Sequence, residues 1–267
     1  DGLAGSYLAG RRANNDFDFG AATHYFSRAL ARDPSNTYLL ENAVLAFVGN
    51  GQVQRAVPIA RRLHDINEKS QIANMVLLAD TVLQGDFDKA GDLLTSGEIV
   101  GPLVDGLAAA WVQVGQGRMA EALASFDQVS TGNGLETFGI YHKALALAMA
   151  GDMEGADDIM SGRTGVRLPL IRRSLIVHIE ILSQLERNAD AIDLIKTVFG
   201  DNLDPGLNAI RAKLIADETL PFSSVQNASE GLAEVFYTVA GALNGEADDA
   251  YTLIYTRMAE YLRADHV

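Results

Sequence analysis

The sequence predicts an all-α solenoid built from antiparallel helical hairpins. Three observations carry that expectation. Alanines at Ala22, Ala56, Ala90, Ala122, Ala156 and Ala191 recur at separations of 34, 34, 32, 34 and 35 residues, a period that marks stacked supersecondary units rather than one globular core. Before each alanine lies a turn phrase rich in Gly, Asn and charge: Asn15-Asp16, Gly49-Asn50-Gly51, Gly85-Asp86, Gly115-Gln116-Gly117, Gly151-Asp152 and Arg187-Asn188. Four residues after it a large apolar side chain often follows, as at Phe26, Leu94, Phe126, Met160 and Ile195.

The elements follow in order. Unit one pairs 3–14 with 17–32, and Asp33-Pro34 stops its second helix, because Pro pushes the residue before it out of the helical region. Unit two pairs 36–48 with 52–66; Pro58 inside the second helix predicts a kink or a late start. Unit three pairs 70–84 with 86–96, and unit four pairs 102–115 with 117–129, two residues short of the period. Unit five pairs 135–150 with 152–161, and unit six pairs 168–186 with 188–199. Residues 1–199 thus form six hairpins. Residues 200–227 break the period, with one helix at 206–217 and an irregular connection from Glu218 to Asn227 around Pro221. A final hairpin, 228–244 with 247–264, occupies residues 228–267, and Asn227 with Glu230 reads as a capping box for its first helix. No polar capping helix follows it, so the expectation is an array that continues beyond Val267.

The phrase Gly10 … Ala22-x-x-x-Phe26-x-x-Ala29-x-x-x-x-Pro34 resembles the tetratricopeptide repeat (TPR) family. The resemblance covers almost the whole chain. It implies a right-handed superhelix in which small residues let the two helices of a unit approach closely, while the aromatic fills the gap to the next unit. It also implies a non-catalytic scaffold that grips a peptide or helix of a partner protein in a concave groove. Similar arrays in bacteria serve envelope assembly, secretion systems and cell division, and the Ala- and Gly-rich acidic composition suits such a source. A periplasmic or envelope-associated location goes with that reading.

Composition narrows the partner. Hydrophobic residues make up 48% of the 267 and charged residues 21%, enough apolar surface for a continuous core and too little charge for disorder. A net charge of −14 argues against nucleic acid and against an anionic membrane surface, whose phosphates it would repel. The doublets Arg11-Arg12, Arg61-Arg62 and Arg172-Arg173 read as solvated helix faces. There is no cysteine, hence no disulfide framework, and no run of about 18 apolar residues long enough to span a membrane. The start at Asp1-Gly2 reads as a processed or engineered one.

No catalytic, cofactor or metal constellation is legible. Val114-Gly115-Gln116-Gly117 imitates a dinucleotide fingerprint, but lacks the strand that should precede it and reads as an inter-helix turn. The histidines His24, His64, His142, His178 and His266 stand singly, with no spacing that would bring two to one metal, and His178 reads as a satisfied, packed imidazole. Carboxylates cluster where second helices begin (Asp86 and Asp88, Asp152 and Glu154, Asp157-Asp158, Asp248-Asp249), where the helix dipole favours them.

What remains is the groove. Placing the register by its alanines assigns groove-facing positions to Tyr7, Arg11, Asn14, Asn42, Met75, Trp111, Phe138, Tyr141 and Arg173. Aromatic and Arg side chains suit binding anchors, which combine large buried area with a polar handle; Met75, Trp111 and Phe138 fit inter-repeat core equally well. Some TPR members clamp a C-terminal carboxylate with Lys, Asn and Arg on their first helices. Here the corresponding positions hold Tyr7, Arg11, Asn42, Ile72 and Val76, and only Asn42 agrees fully. An extended segment or a partner helix therefore suits this groove better than a carboxylate tail. Two alternatives stay open: a substrate-recruiting arm of a larger enzyme, and a structural solenoid that associates with itself.

Overall fold

In a computed structural model the residues described are 2–66, 69–96, 99–244 and 249–265; Asp248 and His266 lie outside them. Among the described residues there are fifteen helices and no strand. They are α1 (Leu3–Asn15), α2 (Phe19–Leu30), α3 (Thr37–Gly49), α4 (Val53–Asp65), α5 (Gln71–Leu83), α6 (Phe87–Thr95), α7 (Pro102–Gly115) and α8 (Met119–Ser130). The rest are α9 (Glu136–Met149), α10 (Met153–Met160), α11 (Arg172–Gln184), α12 (Asn188–Phe199), α13 (Pro205–Ile215), α14 (Ala228–Leu243) and α15 (Asp249–Leu262). Helix α4 is continuous from Val53 through Pro58, so the proline does not delay its start.

The period has a backbone cause as well as a packing one. All six marker alanines are completely buried, since a larger side chain there would hold two helices apart. Five residues before each alanine the chain takes a left-handed conformation, at Phe17, Gly51, Gly85, Gly117, Gly151 and Glu186. That step reverses the chain within the hairpin turn, and four of the six positions use Gly, which adopts it without strain. Phe17 and Glu186 hold it at φ 58° in spite of their side chains. The acids behind these turns cap second helices: Asp18 accepts from Ala21 N–H at 3.0 Å, Asp86 from Lys89 N–H at 3.2 Å and Asp152 from Gly155 N–H at 2.9 Å.

The helices form two compact units, one of residues 1–118 with 228–267 and one of residues 119–227. The division falls in the turn after α7, between the two helices that the sequence pairs as unit four.

In the first unit α1 to α7 stack as successive hairpins. Glycine permits the close approaches between them. A Cβ on Gly49 would stand 2.7 Å from the Phe19 ring, and one on Gly115 2.4 Å from the Phe87 ring. Gly115 is therefore fixed by the ring of the preceding hairpin, a tighter demand than the turn it also ends. Helices α14 and α15 pair with each other and belong to this unit. They do not extend the stack: α14 packs on α5 and α7, and α15 on α3, α4 and α5.

In the second unit α8 to α13 pack in chain order. Ile179 and Leu182 of α11, Ala191 and Ile195 of α12, and Leu214 of α13 share one buried cluster with Leu220 of the following segment. Asp157 ties three elements of this unit together. Its buried carboxylate accepts from His178 Nε2 at 2.7 Å, from Arg163 at 2.7 Å and from Arg187 at 2.5 Å. Desolvation opposes the charge, yet those three partners hold its pKa below the usual carboxylate value. Burial pushes the His178 pKa down, so the imidazole is a neutral partner, as its packed position implies.

Candidate functional site

The predicted groove residues lie on first helices: α1, α3, α5 and α7 of the first unit, and α9 and α11 of the second. The chain itself covers several of them.

Over α5 and α7 the cover is helical. Trp111 is 1% exposed and Met75 3%. Gly231 of α14 lies flat against the indole, where a Cβ would come within 2.2 Å of the ring. Only the absence of a side chain lets the two helices meet there. From α15, the Tyr261 hydroxyl donates to Asp80 of α5 at 3.0 Å; burial, with that bond, pushes the phenol up to about 12. Met75 and Trp111 are thus core side chains in this structure.

Over α11 the cover is an extended strap, residues 218–227. Glu180, 8% exposed, accepts from both the N–H and the hydroxyl of Ser223 and of Ser224, at 2.7 to 3.1 Å. Gln184 donates to the Leu220 carbonyl at 2.5 Å, and Arg173 to the Ser224 carbonyl at 3.3 Å. Arg173 therefore holds the strap. On α9, Tyr141 is buried edge-on to His142 at 5.5 Å, and Phe138 is half-buried.

The start of the face, on α1 and α3, is different. Tyr7 and Tyr38 meet edge to face at 5.5 Å, and Tyr38 is 47% exposed. The Tyr7 hydroxyl accepts from Tyr38 and from Arg11, which lowers its pKa below that of an ordinary phenol. The exposed Arg11 guanidinium lies 5.8 Å from the Tyr7 ring centre. Asn42 donates to the Tyr38 carbonyl at 2.9 Å and is half-buried. These three predicted residues come together with one absent from the predicted set, Tyr38. Its spacing of four from Asn42 was the available signal. Asn14 is nearby on α1, but both polar atoms of its amide are buried without a hydrogen-bond partner, so it does not face solvent.

Among the described residues no group of three or more His, Cys, Asp or Glu could hold a metal, and no helix is long and apolar enough to cross a membrane.

No protein-family model matches the chain, and no curated protein matches its sequence. Among solved structures, a tetratricopeptide repeat protein from Parabacteroides merdae is similar over 96% of this chain and 98% of that one, with a TM-score of 0.61 and 16% identity. The structure of Naa15/Naa10 bound to HypK-THB is similar over 96% of this chain and 39% of that one, with a TM-score of 0.38 and 15% identity. The first likeness establishes the fold as a TPR-like, all-α helical repeat.

Proposed function

We propose that this TPR-like chain is a protein-interaction scaffold whose partner binds the open start of the first-helix face, at Tyr7, Arg11, Tyr38 and Asn42. The single observation behind this is the uneven cover of the face. In the first unit α14 and α15 fill it over α5 and α7, and in the second the strap covers α11; α15 also packs on α3, but Arg11 of α1 and Tyr38 at the start of α3 stay exposed and available to a ligand. Those two occupants also display the chemistry such a face accepts, a helical hairpin in one case and an extended segment in the other. At the open stretch a partner would bury aromatic surface on a preformed ring pair, so the ordering cost falls mainly on the partner. Phe138, at half-burial on α9, is a secondary candidate contact.

The test is partner capture with surface variants of the intact chain. Tyr38→Ala and Arg11→Ala should each lose most of the captured partner while helical content and melting temperature stay unchanged. Ile215→Ala, at a side chain 65% exposed on α13, should keep it. Loss of the partner with Ile215→Ala, and retention with the other two, would move the site elsewhere.

A further inference from the structure

Charge is distributed very unevenly along the chain. Residues 1–66 carry seven arginines, no lysine and six carboxylates, a net of +1. Residues 67–267 carry fourteen cations against twenty-nine carboxylates, a net of −15. The first two hairpins therefore do not share the net negative charge that repels an anion. Within them, neighbouring arginines differ in their engagement. Arg12 is closed onto Asp16 at 2.6 Å. Arg11, one position along, has no carboxylate partner among the described residues, and bonds instead to the Tyr7 hydroxyl at a long 3.4 Å. Its side chain is stationed over the Tyr7 ring, which limits its rotamers before any ligand arrives. Leu3, Tyr7 and Arg11 follow at intervals of four and so share one face of α1. On α3, Tyr38 stands against Tyr7. The result is an aromatic and aliphatic strip that ends in an unpaired cation.

We infer that the partner segment is acidic and partly apolar: a peptide of another protein that lays Leu, Phe or Met on Leu3, Tyr7 and Tyr38 and presents Asp or Glu side chains to Arg11. This rests on the proposed site and adds its ligand chemistry. A basic segment would meet Arg11 as a like charge here and would be drawn to the acidic remainder of the chain instead. The electrostatic share is local, because the Debye length of about 8 Å at physiological salt screens the distant carboxylates.

The experiment is a synthetic peptide array of graded charge, from Glu-rich to Lys-rich, with Leu and Phe held constant. It is probed with the intact protein and with Arg11→Glu, Tyr38→Ala and Ile215→Ala. The Glu-rich peptides should bind best, and should lose tenfold or more with Arg11→Glu and with Tyr38→Ala but not with Ile215→Ala. Arg11→Glu should also turn the preference toward Lys-rich peptides. Binding that needs Tyr38 but favours Lys-rich peptides would overturn the acidic partner and leave the site standing. Binding indifferent to Arg11 and Tyr38, binding only of a second copy of this chain, or no binding at any charge would overturn both.

Discussion

In the first unit α5 and α7 are covered mainly by apolar surface, and in the second α11 is covered by polar bonds. In the first unit a helical hairpin seats Gly231 on Trp111. In the second an extended strap hangs its backbone and two serines on one carboxylate, Glu180. The difference follows from what each cover must satisfy. A helix arrives with its backbone hydrogen bonds already made, so it can be received by apolar side chains and needs a close fit. An extended strap arrives with free N–H and C=O groups, which buried positions must supply with partners. The contrast shows that each unit closes its own first helices in its own way, and it sets apart the exposed Arg11 and Tyr38 of the first unit.

The largest expected effect is on the helical cover. Trp111→Ala should cost about 4 kcal/mol of stability, the usual scale for removing a buried indole. Gly231→Ala, which only adds a methyl group, should cost about 3 kcal/mol by driving α14 away from the ring. Chemical denaturation measures both. If Gly231→Ala were neutral, the close approach of α14 to Trp111 would be wrong. For the strap, Glu180→Ala should cost about 3 kcal/mol, because four donors lose their acceptor. It should also raise amide exchange at 220–224, while exchange in α14 stays as it was.

Acid sharpens the account of the second unit. His178 and Asp157 both have folded pKa values below their ordinary ones, so the unfolded chain holds more protons and stability falls as pH falls. The contribution of His178 is present above about 6.5 and is lost as pH drops through its lowered folded value; that of Asp157 is lost only in stronger acid, below about 3.8. Melting temperature should therefore decline between pH 7 and pH 5, and His178→Gln should flatten that decline. The smallest effect concerns turns. Glu186→Gly should stabilise the protein by about 1 kcal/mol by relieving a left-handed residue that four other hairpin turns assign to Gly. Calorimetry would detect the rise in melting temperature, and no rise would mean that Glu186 pays for its conformation elsewhere.

The repeat was plain in the sequence because its cause is local. Ala22 to Ala191 mark helix crossings, and crossings recur with the hairpin. The destination of the last hairpin was not legible. Its Gly231, Ala240 and Ala259 fit the repeat pattern, and nothing in a periodic pattern distinguishes stacking on the previous repeat from packing on an earlier one. Gly231 could pass for a small residue of the repeat, but its reason is an indole 120 positions earlier. For the same reason Trp111 and Met75 passed as groove contacts, since a residue that awaits a ligand and one that already has it look alike in sequence. Tyr7, Arg11 and Asn42 were named by register alone, and the structure brings them side by side. Arg173 was named the same way, but the strap that engages it lies more than forty residues away and leaves no periodic trace.

Trp111 is the single tryptophan of the chain, so its fluorescence reports directly on the covered part of the face. In the intact protein its emission should be blue-shifted and nearly inaccessible to acrylamide, and should remain so when a partner peptide saturates the open start on α1 and α3. A red-shifted, readily quenched tryptophan in the free protein would contradict the cover by α14. A shift to the red on partner binding would mean that the ligand takes the place of that helix rather than the stretch beside Tyr38.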